Sequence, residues 1–528
     1  MSSLDFKIIN TQMEIVTQVE NNELVWRTYD GSANNLWSPL YGKAGICLDR
    51  KSAVDYSGSQ TSGVAVRGAL NPSPRLVSNE ICQGSLYGGS PVSSAGMTDM
   101  TWIWGQFVDH EIDITPTGAE SLNMSTDDGG VNEPWPGRTI SFTRSESVVK
   151  SGVRQQPNAI SSFIDASNVY GSSTDRAYAL RLLDGSGKMK TGTADNNEVI
   201  LPYNTEMLPN APSTGVGFFI AGDVRANENV GLTSMHTVFM REHNRLCDVI
   251  TADNPSLVGQ DETIFQYARR LVAGMMQHIT YNEFLPALLG GFSIYPGYST
   301  TTSPNILTEF STAGYRLGHT MLSDNIQIGE SAGSLLSLVS AFFNPSYIQT
   351  NGINNILIGS SLKKMQEIDN IVVEAVRSFL FGPPAPPPAA GALLDLAALN
   401  MQRGRDHGLP GYNAVRVAYG LSSIASFGSL PMPSAVRTRL SAIYNSPSDI
   451  DPWIGVISEN HIPGKAVGPL ANAIIVDQFT RLRDGDRYWF ENDPAITVND
   501  RIMIQSTMLS DILSRNTEYL FNMDVFHI

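Results

Sequence analysis

The chain has 528 residues, a formal net charge of −16 at pH 7 and 42% hydrophobic residues. The negative charge argues against nucleic acid and anionic membranes as partners, and against long-range attraction of anionic substrates. The length corresponds to about two to four domains of average size or to one large helical core, and the hydrophobic content is enough to bury a large core.

The sequence contains no run of about 18 or more apolar residues, so no transmembrane helix is expected. Its first ten residues lack the basic and apolar regions of a secretory signal. We therefore expect a protein that is cytoplasmic or exported by a route that needs no signal peptide. The only cysteines, Cys47, Cys82 and Cys247, allow at most one disulfide, and their spacing matches no zinc site.

Residues 1–40 are polar with short apolar runs and predict an N-terminal arm. Residues 41–97 are rich in Gly, Ser and Pro and predict an extended, loop-heavy segment. The proline-rich stretch from Gly382 to Pro388 predicts a stiff surface loop within a domain.

The stretch from Thr98 to Asp113 predicts a helix, because it opens with a weak N-cap signal and contains no proline. Residues three and four apart share a helix face, so Gln106, Asp109 and His110 form one polar cluster. A different face carries three large apolar side chains, those of Trp104, Phe107 and Val108. A lone histidine in such surroundings is usually a core residue, so its interpretation depends on the motifs further along.

The stretch from Ser161 to Gly171 carries Ser and Asp side chains at alternate positions, with backbone carbonyls between them. Such oxygens suit a hard cation, which takes six to eight oxygen ligands. Taken alone, however, the pattern is more typical of an ordinary turn stabilised by Asp and Ser side chains.

Two long helices are predicted at about 232–250 and 263–279 from apolar residues at helical spacing. These residues are Met235, Phe239, Leu246 and Ile250 in the first helix, and Ile264, Ala268, Leu271 and Met275 in the second. The histidines on these helices are interpreted as structural. A further helix, ending at His319, is predicted after the start signal Ser303–Asn305, and others at about 434–444 and 467–484.

Five blocks resemble, in the same order, those of the animal-type haem peroxidases of the peroxidase–cyclooxygenase superfamily, especially its bacterial members. They are Trp104–Glu111, Ser161–Gly171, Phe218–Asn229, Tyr315–His319 and Leu399–Pro410. The resemblance extends from about Trp26 to Leu513. It implies a mainly α-helical fold with little β structure, in which residues 41–528 form a single large haem peroxidase domain of the myeloperoxidase-like type.

The resemblance implies catalytic roles for His110, with Gln106 beside it, and for Arg225. His110 would act as general base and then acid on hydrogen peroxide, and Arg225 would stabilise the charge that develops during O–O cleavage. Asp109 and Glu228 would form ester bonds to methyl groups of haem b.

On the other side of the haem, the resemblance implies that His319 is the iron ligand. Asn400 would accept the free N–H of its imidazole, and Arg316 and Arg403 would pair with propionates. The resemblance also implies a calcium ion bound by Ser161, the Phe163 carbonyl, Asp165 and Ser167. The family's remaining calcium ligand is an Asp; here the position is Glu111, one methylene longer.

The implied function is a haem peroxidase that reduces hydrogen peroxide and oxidises small anions or aromatic donors through a ferryl and porphyrin-radical intermediate. Myeloperoxidase-like members carry a Met after the ester-forming Glu, whose sulfur bonds to a haem vinyl group. Here the position is Asn229, so we expect iodide, thiocyanate and bromide as substrates and chloride as a poor one at neutral pH.

Two alternatives remain. A fatty-acid dioxygenase of the same superfamily needs a Tyr three residues before the proximal His, where this chain has Arg316; Tyr315 is four before. An adhesive or structural peroxidase-like protein without activity would not need the His110, Arg225 and His319 that this chain retains.

Overall fold

The computed structural model describes residues 26–56, 71–378 and 393–528, together with the backbone of two short strands at Val19–Glu20 and Glu23–Leu24. The insert from Gly382 to Pro388, predicted to be a stiff loop, lies outside the described residues. Within them the chain is mainly helical and its strands form small antiparallel pairs, which confirms the predicted fold class.

The α-helices, in chain order, are α1 (Pro74–Ile81), α2 (Asp99–Ile112), α3 (Ser167–Tyr170), α4 (Thr174–Ala179), α5 (Val230–Asp253), α6 (Asp261–Ile279), α7 (Leu285–Leu289), α8 (Leu338–Ala341), α9 (Pro345–Asn351), α10 (Asn354–Leu362), α11 (Glu374–Arg377), α12 (Leu396–Asp406), α13 (Tyr412–Ala418), α14 (Ser434–Ile443), α15 (Pro452–Ser458), α16 (Pro469–Asp484), α17 (Val498–Ser506) and α18 (Leu509–Asn516). The strands are β1 (Val19–Glu20), β2 (Glu23–Leu24), β3 (Thr117–Ser121), β4 (Met124–Ser125), β5 (Thr139–Ile140), β6 (Thr143–Ser145), β7 (Val148–Lys150), β8 (Val153–Gln155), β9 (Gly192–Thr193), β10 (Val199–Ile200), β11 (Asn325–Gln327) and β12 (Leu335–Ser337). They pair as β1–β2, β3–β6, β4–β5, β7–β8, β9–β10 and β11–β12.

Helix α2, which carries the polar cluster, packs against α3, α5 and α10. Its predicted apolar face is fully buried. The ring centroids of Trp104 and Phe107 lie 5.7 and 5.1 Å from that of Phe239 on α5. Because protein cores are close-packed, this aromatic cluster holds α2 in a defined position against α5.

The two long helices confirm the predicted core pattern. All eight apolar residues named above for α5 and α6 have 0% exposure. Helix α5 begins at Val230, slightly earlier than predicted, because the Asn229 side chain caps it by accepting a hydrogen bond from Leu232 N at 2.9 Å. The cap places the start of α5 beside α2.

The chain before His319 is not the regular helix that the sequence predicts. The start signal Ser303–Asn305 is extended, and Leu307 forms a β-bridge with Asp49. A π-helical stretch, Phe310–Gly314, and a 3₁₀ stretch, Tyr315–Thr320, follow.

Close packing accounts for this irregularity. A Cβ atom at Gly314 would collide with Ile474 of α16, so the backbone itself packs against that helix. The Asn305 side chain, predicted to start a helix, instead accepts a hydrogen bond from Gly42 N at 2.8 Å. Tertiary contacts therefore override the local helix signals here.

Residues 26–40 contact the C-terminal part of the chain. Arg27 Nη2 lies 2.6 Å from Asp486 Oδ2, and Asn34 Nδ2 donates to Asp486 Oδ1 at 2.7 Å. The division into an arm and a domain at residue 40 stays a prediction. All three cysteines are free thiols. Among the described residues, no helix combines the length and apolarity needed to cross a membrane.

Candidate active site

A cavity of about 320 Å³ lies between α2, the loop before α5 and the 3₁₀ stretch Tyr315–Thr320. Its polar lining consists of Gln106, Asp109, His110, Arg225, Glu228, Asn229, Arg316 and His319. Its apolar lining includes Trp102, Phe284, Leu288, Leu317, Leu322, Leu338, Phe342 and Leu396. Gln106, His110, Arg225 and Glu228 are called the distal wall below, and Arg316 and His319 the proximal wall.

On the distal wall, His110 lies between two carboxylates. Its Nδ1 is 3.6 Å from Asp223 Oδ1, and its Nε2 is 3.6 Å from Glu228 Oε2. Burial, with the positive charge of Arg225, holds the pKa of His110 well below its usual range. The imidazole is therefore neutral at neutral pH and able to accept a proton.

Arg225 is held by Asp223 in a two-pronged ion pair. Nε donates to Oδ1 at 3.0 Å and Nη2 to Oδ2 at 2.9 Å. Burial disfavours the charged form of Asp223, but Arg225 and His110 outweigh it and lower the pKa of this carboxyl. Such charge-assisted pairs fix both partners, so Arg225 presents a fixed positive charge to the cavity.

Asp223 was not among the predicted site residues, although it lies beside both Arg225 and His110. The available signal was an acidic residue two positions before the predicted catalytic arginine, in the same short turn. Arg225 N donates to Asp223 Oδ1 at 2.7 Å, which makes the pair a local turn motif.

Gln106 connects two neighbouring side chains. Its Nε2 donates to Glu228 Oε2 at 2.7 Å, and its Oε1 accepts from Asn229 Nδ2 at 2.8 Å. The role of Asn229 as partner of Gln106 was not predicted. The sequence feature that could have indicated this role is an asparagine at the N-cap position of a predicted long helix.

The two carboxyls predicted to bond to haem titrate near neutral pH. Burial raises the pKa of Asp109 to about 7, with Asp113 adding to the rise and Arg225 opposing it. Burial also raises the pKa of Glu228 to about 7, although 30% of its side chain is exposed to the cavity. Near neutral pH each of the two carboxyls is therefore protonated in part of the molecules.

On the proximal wall, His319 is supported from behind by Asn400. His319 Nδ1 lies 2.8 Å from Asn400 Nδ2, and Asn400 Oδ1 accepts from Arg316 Nη1 at 3.3 Å. Burial lowers the pKa of His319 to about 3, and Arg316 adds to the decrease. The imidazole is therefore neutral, as a metal ligand must be.

The orientation of the Asn400 amide differs from the one that the resemblance implies. An imidazole that binds a metal through Nε2 carries its proton on Nδ1, which needs an acceptor. Here Asn400 presents its nitrogen to His319 because its oxygen accepts from Arg316. In this orientation Asn400 does not accept the Nδ1 proton, whereas the resemblance implies that it does.

The lining fits a haem. Neutral imidazoles from two walls face one cavity, the apolar side chains suit a flat macrocycle, and Arg316 suits a propionate. Among the described residues, no side chain forms a hydrogen bond with Nε2 of His319, the atom that would bind the iron. His110 Nδ1, which faces Asp223 at 3.6 Å, is buried without a hydrogen-bond partner among them.

Arg403 is not among the cavity-lining residues. Its Nη1 donates to Ser145 Oγ at 2.7 Å and lies 3.3 Å from Asp406 Oδ2, and its guanidinium stacks on Phe142. The Arg403 guanidinium thus contacts Ser145, Asp406 and Phe142 outside the cavity. Its predicted pairing with a propionate gains no support from this geometry and stays a prediction. His407, which binds Ser145 Oγ at 2.7 Å, fits the structural role assigned to it.

The predicted calcium residues lie together beneath α2. The Glu111 carboxylate accepts hydrogen bonds from the backbone N–H groups of Asp165, Ser167 and Asn168 at 2.6, 3.1 and 2.8 Å. Ser161 Oγ donates to Asp165 Oδ2 at 3.0 Å, and the backbone of Phe163 donates to Ser161 Oγ at 3.3 Å. Glu111 therefore ties this loop to the helix that carries His110.

Two neighbouring buried carboxyls in this loop, those of Glu111 and Asp165, disfavour each other's charged form. Burial, and then the charge of Asp165, raise the pKa of Glu111 well above its usual range, and burial raises the pKa of Asp165. A bound cation would relieve this repulsion. No group of three or more His, Cys, Asp or Glu side chains suited to a metal occurs among the described residues, so a cation here would need hydroxyl and carbonyl oxygens too.

Comparison with known proteins supports one family. A sequence model of the family described as animal haem peroxidase matches residues 26–526. Human eosinophil peroxidase is 34% identical over 95% of this chain and 76% of its own length. A human peroxidasin homolog is 33% identical over 95% of this chain, which spans only 37% of the length of that protein.

A solved structure shares the architecture. Peroxidase A from Dictyostelium discoideum superposes with a TM-score of 0.84 and 28% sequence identity. The match covers 96% of this chain and all of the other (100%).

Proposed function

The chain belongs to the animal haem peroxidase family, and on this premise we propose that it reduces hydrogen peroxide and oxidises iodide, thiocyanate, bromide or aromatic donors. The family, the mainly helical fold and the peroxidase class of enzyme agree with the sequence predictions. The observation that carries the proposal is one cavity with neutral His110 beside the Arg225–Asp223 pair and neutral His319 on another wall.

A haem in this cavity would be held by His319 through Nε2, with Arg316 available to a propionate. When bound, it supplies a redox-active iron that takes up the oxidising equivalents of peroxide. Asn400 supports the imidazole from behind, and an amide donates less electron density to it than a carboxylate would. The protein thus orients the group and tunes the iron.

His110 moves the proton. With Asp223 next to Nδ1, the lone pair of Nε2 faces the cavity, where it can take a proton from hydrogen peroxide. The same atom then returns the proton to the departing oxygen, which leaves as water. The lowered pKa of His110 favours this exchange because the base is free at neutral pH.

Arg225 stabilises the negative charge that develops on the departing oxygen. Its guanidinium is already fixed by Asp223, so little reorganisation is needed during the reaction. Asp223 is a positioning residue in this scheme, because it acts through Arg225 and His110.

A direct test combines the purified, haem-loaded protein with hydrogen peroxide and iodide. Triiodide should form in proportion to protein, at a rate far above that of free haem at the same concentration. A rate no higher than that of free haem would contradict the proposal and favour a scaffold without catalysis.

We also propose that Asp109 and Glu228 form ester bonds to haem methyl groups. Each ester would join a carboxyl oxygen to a methyl carbon of the haem, and hydrogen peroxide would take up the two electrons lost by that carbon and be reduced to water. Both carboxyls line the cavity, which supports the proposal. Haem that is fully extracted by acid and organic solvent after peroxide treatment would contradict it.

A calcium ion bound by Glu111, Ser161, the Phe163 carbonyl, Asp165 and Ser167 completes the proposed site. The closeness of these residues and the raised pKa values of the two carboxyls support it. The Glu111 carboxylate accepts three backbone hydrogen bonds and a longer one from Ser167 Oγ at 3.5 Å, while two oxygens offer about four lone-pair positions. An ion at Glu111 would therefore replace the Ser167 contact.

A further inference from the structure

Asn229 has a side chain whose orientation is fixed by the start of α5. Its Oδ1 accepts a hydrogen bond from Leu232 N at 2.9 Å. A backbone N–H only donates, so the atom of Asn229 that faces it must be the oxygen. The amide nitrogen, Nδ2, is therefore directed away from the helix.

This orientation is passed on to Gln106. Asn229 Nδ2 donates at 2.8 Å, so the Gln106 atom that faces it must be the oxygen, Oε1. The Gln106 nitrogen then faces Glu228 Oε2 at 2.7 Å. Three hydrogen bonds in series thus fix both amides, starting from a helix N-terminus.

The orientation of Gln106 matters because it lines the cavity beside His110. An amide nitrogen carries two N–H donors, and Glu228 uses one of them. The nitrogen therefore offers an N–H to an anion in the cavity, whereas the carbonyl oxygen would repel it. Without a partner for Oε1, the amide could turn and present either atom.

We propose that Asn229 is a positioning residue that fixes the Gln106 amide with its nitrogen toward Glu228 and the cavity, and so raises the affinity for small anions. The substrate class rests on the proposed function. The orientation of the two amides rests only on the three hydrogen bonds that run from Leu232 N through Asn229 and Gln106 to Glu228.

Neutron diffraction from deuterium-exchanged crystals tests the geometry directly. Deuterium on the Gln106 atom that faces Glu228, and none on the atom that faces Asn229, is the expected result. Gln106 Oε1 facing Glu228 would overturn the proposal, whatever the protein catalyses.

Asn229→Ser tests the consequence. Serine is as good an N-cap as asparagine, so the melting temperature should hold, but its short side chain does not replace the bond to Gln106. Thiocyanate is titrated into the ferric, haem-loaded protein without peroxide and followed by the haem absorbance. Its dissociation constant should rise about fivefold, the size of one net hydrogen bond. Asp is avoided here, because its charge alone would weaken anion binding.

Asn344→Ser is the matched control. Asn344 caps α9 by accepting from Tyr347 N at 3.0 Å, and it is not a cavity-lining residue. Its replacement should leave the thiocyanate affinity unchanged. An unchanged affinity in Asn229→Ser would overturn the proposal. If the unaltered protein binds neither thiocyanate nor iodide, the result counts against anions as substrates. The neutron experiment would then still decide the orientation of the Gln106 amide.

Discussion

The distal and proximal walls of the cavity are built in different ways. On the distal wall, Gln106 and His110 lie on a regular helix. Asn229 donates a hydrogen bond to Gln106, which in turn donates one to Glu228. On the proximal wall, His319 lies in a 3₁₀ stretch that follows a π-helical one, and Asn400 presents its nitrogen where a bound metal requires an oxygen. The distal side chains are thus linked to one another by hydrogen bonds, whereas His319 has one partner, Asn400, behind its ring.

The backbone explains the difference. Helix α2 is held by a buried aromatic cluster and keeps its side chains in place without a ligand. A 3₁₀ stretch has poorer hydrogen-bond geometry than an α-helix, and irregular helical segments often mark functional sites. The proximal wall therefore has the less regular backbone of the two.

The largest expected effect is on the proximal wall. Replacement of His319 by alanine removes the iron ligand, so haem should be lost or its five-coordinate ferric spectrum abolished. Absorbance spectroscopy after gel filtration measures both. His527→Gln, at a partly exposed position of the C-terminal segment, is the control and should retain the spectrum. An unchanged spectrum in His319→Ala would show that another residue binds the iron.

His110→Ala should change the reaction and spare the cofactor. Loss of a general acid–base group costs about 10²–10⁴-fold in rate, so peroxide cleavage, followed by stopped-flow absorbance, should slow by at least that lower limit. Haem should stay bound, because the proximal wall does not depend on His110. A normal rate would remove His110 from the mechanism, and loss of haem would show that the two walls are not independent.

Much of both walls could be predicted from the sequence. The distal helix, the long helices and the residues that meet at the cavity follow from apolar spacing and from blocks with a family resemblance. Those blocks identify side chains. Helix α2 then places His110, the loop before α5 places Arg225 and Glu228, and the 3₁₀ stretch places His319. His110, Arg225, Glu228 and His319 all reach the same cavity as a result.

What could not be predicted depends on contacts between distant segments. The π-helical stretch before His319 ends at Gly314, whose backbone packs on Ile474 of α16. The position of Arg403 follows from Ser145, which is far away in sequence. The pairing of Asn229 with Gln106 requires the relative position of two helices, which no local pattern contains.

Removal of calcium tests whether the distal wall is truly independent of ligands. Glu111 joins α2 to the loop of Asp165 through a hydrogen bond from Asp165 N. An ion that binds only the folded protein would stabilise it by about 2.7 kcal/mol when its concentration is about 100 times its dissociation constant. EGTA should therefore lower the melting temperature and alter the haem spectrum. Excess calcium should restore both. Active protein that contains no calcium by elemental analysis would contradict the site and leave Glu111 as a purely hydrogen-bonded tie.

The smallest expected effect concerns which halides are oxidised. In myeloperoxidase-like members, a methionine sulfur at this position bonds to the haem and withdraws electrons. Asn229 has no sulfur, and both ends of its amide are already used, by Leu232 and Gln106. The haem should therefore be a weaker oxidant, and chloride turnover at neutral pH should be at least about tenfold slower than bromide turnover, or about 1.4 kcal/mol in activation free energy. Trapping the hypohalous acids with taurine measures both rates, with iodide as the positive control. Equal rates for chloride and bromide would show that the distal wall supplies the oxidising power without the sulfur.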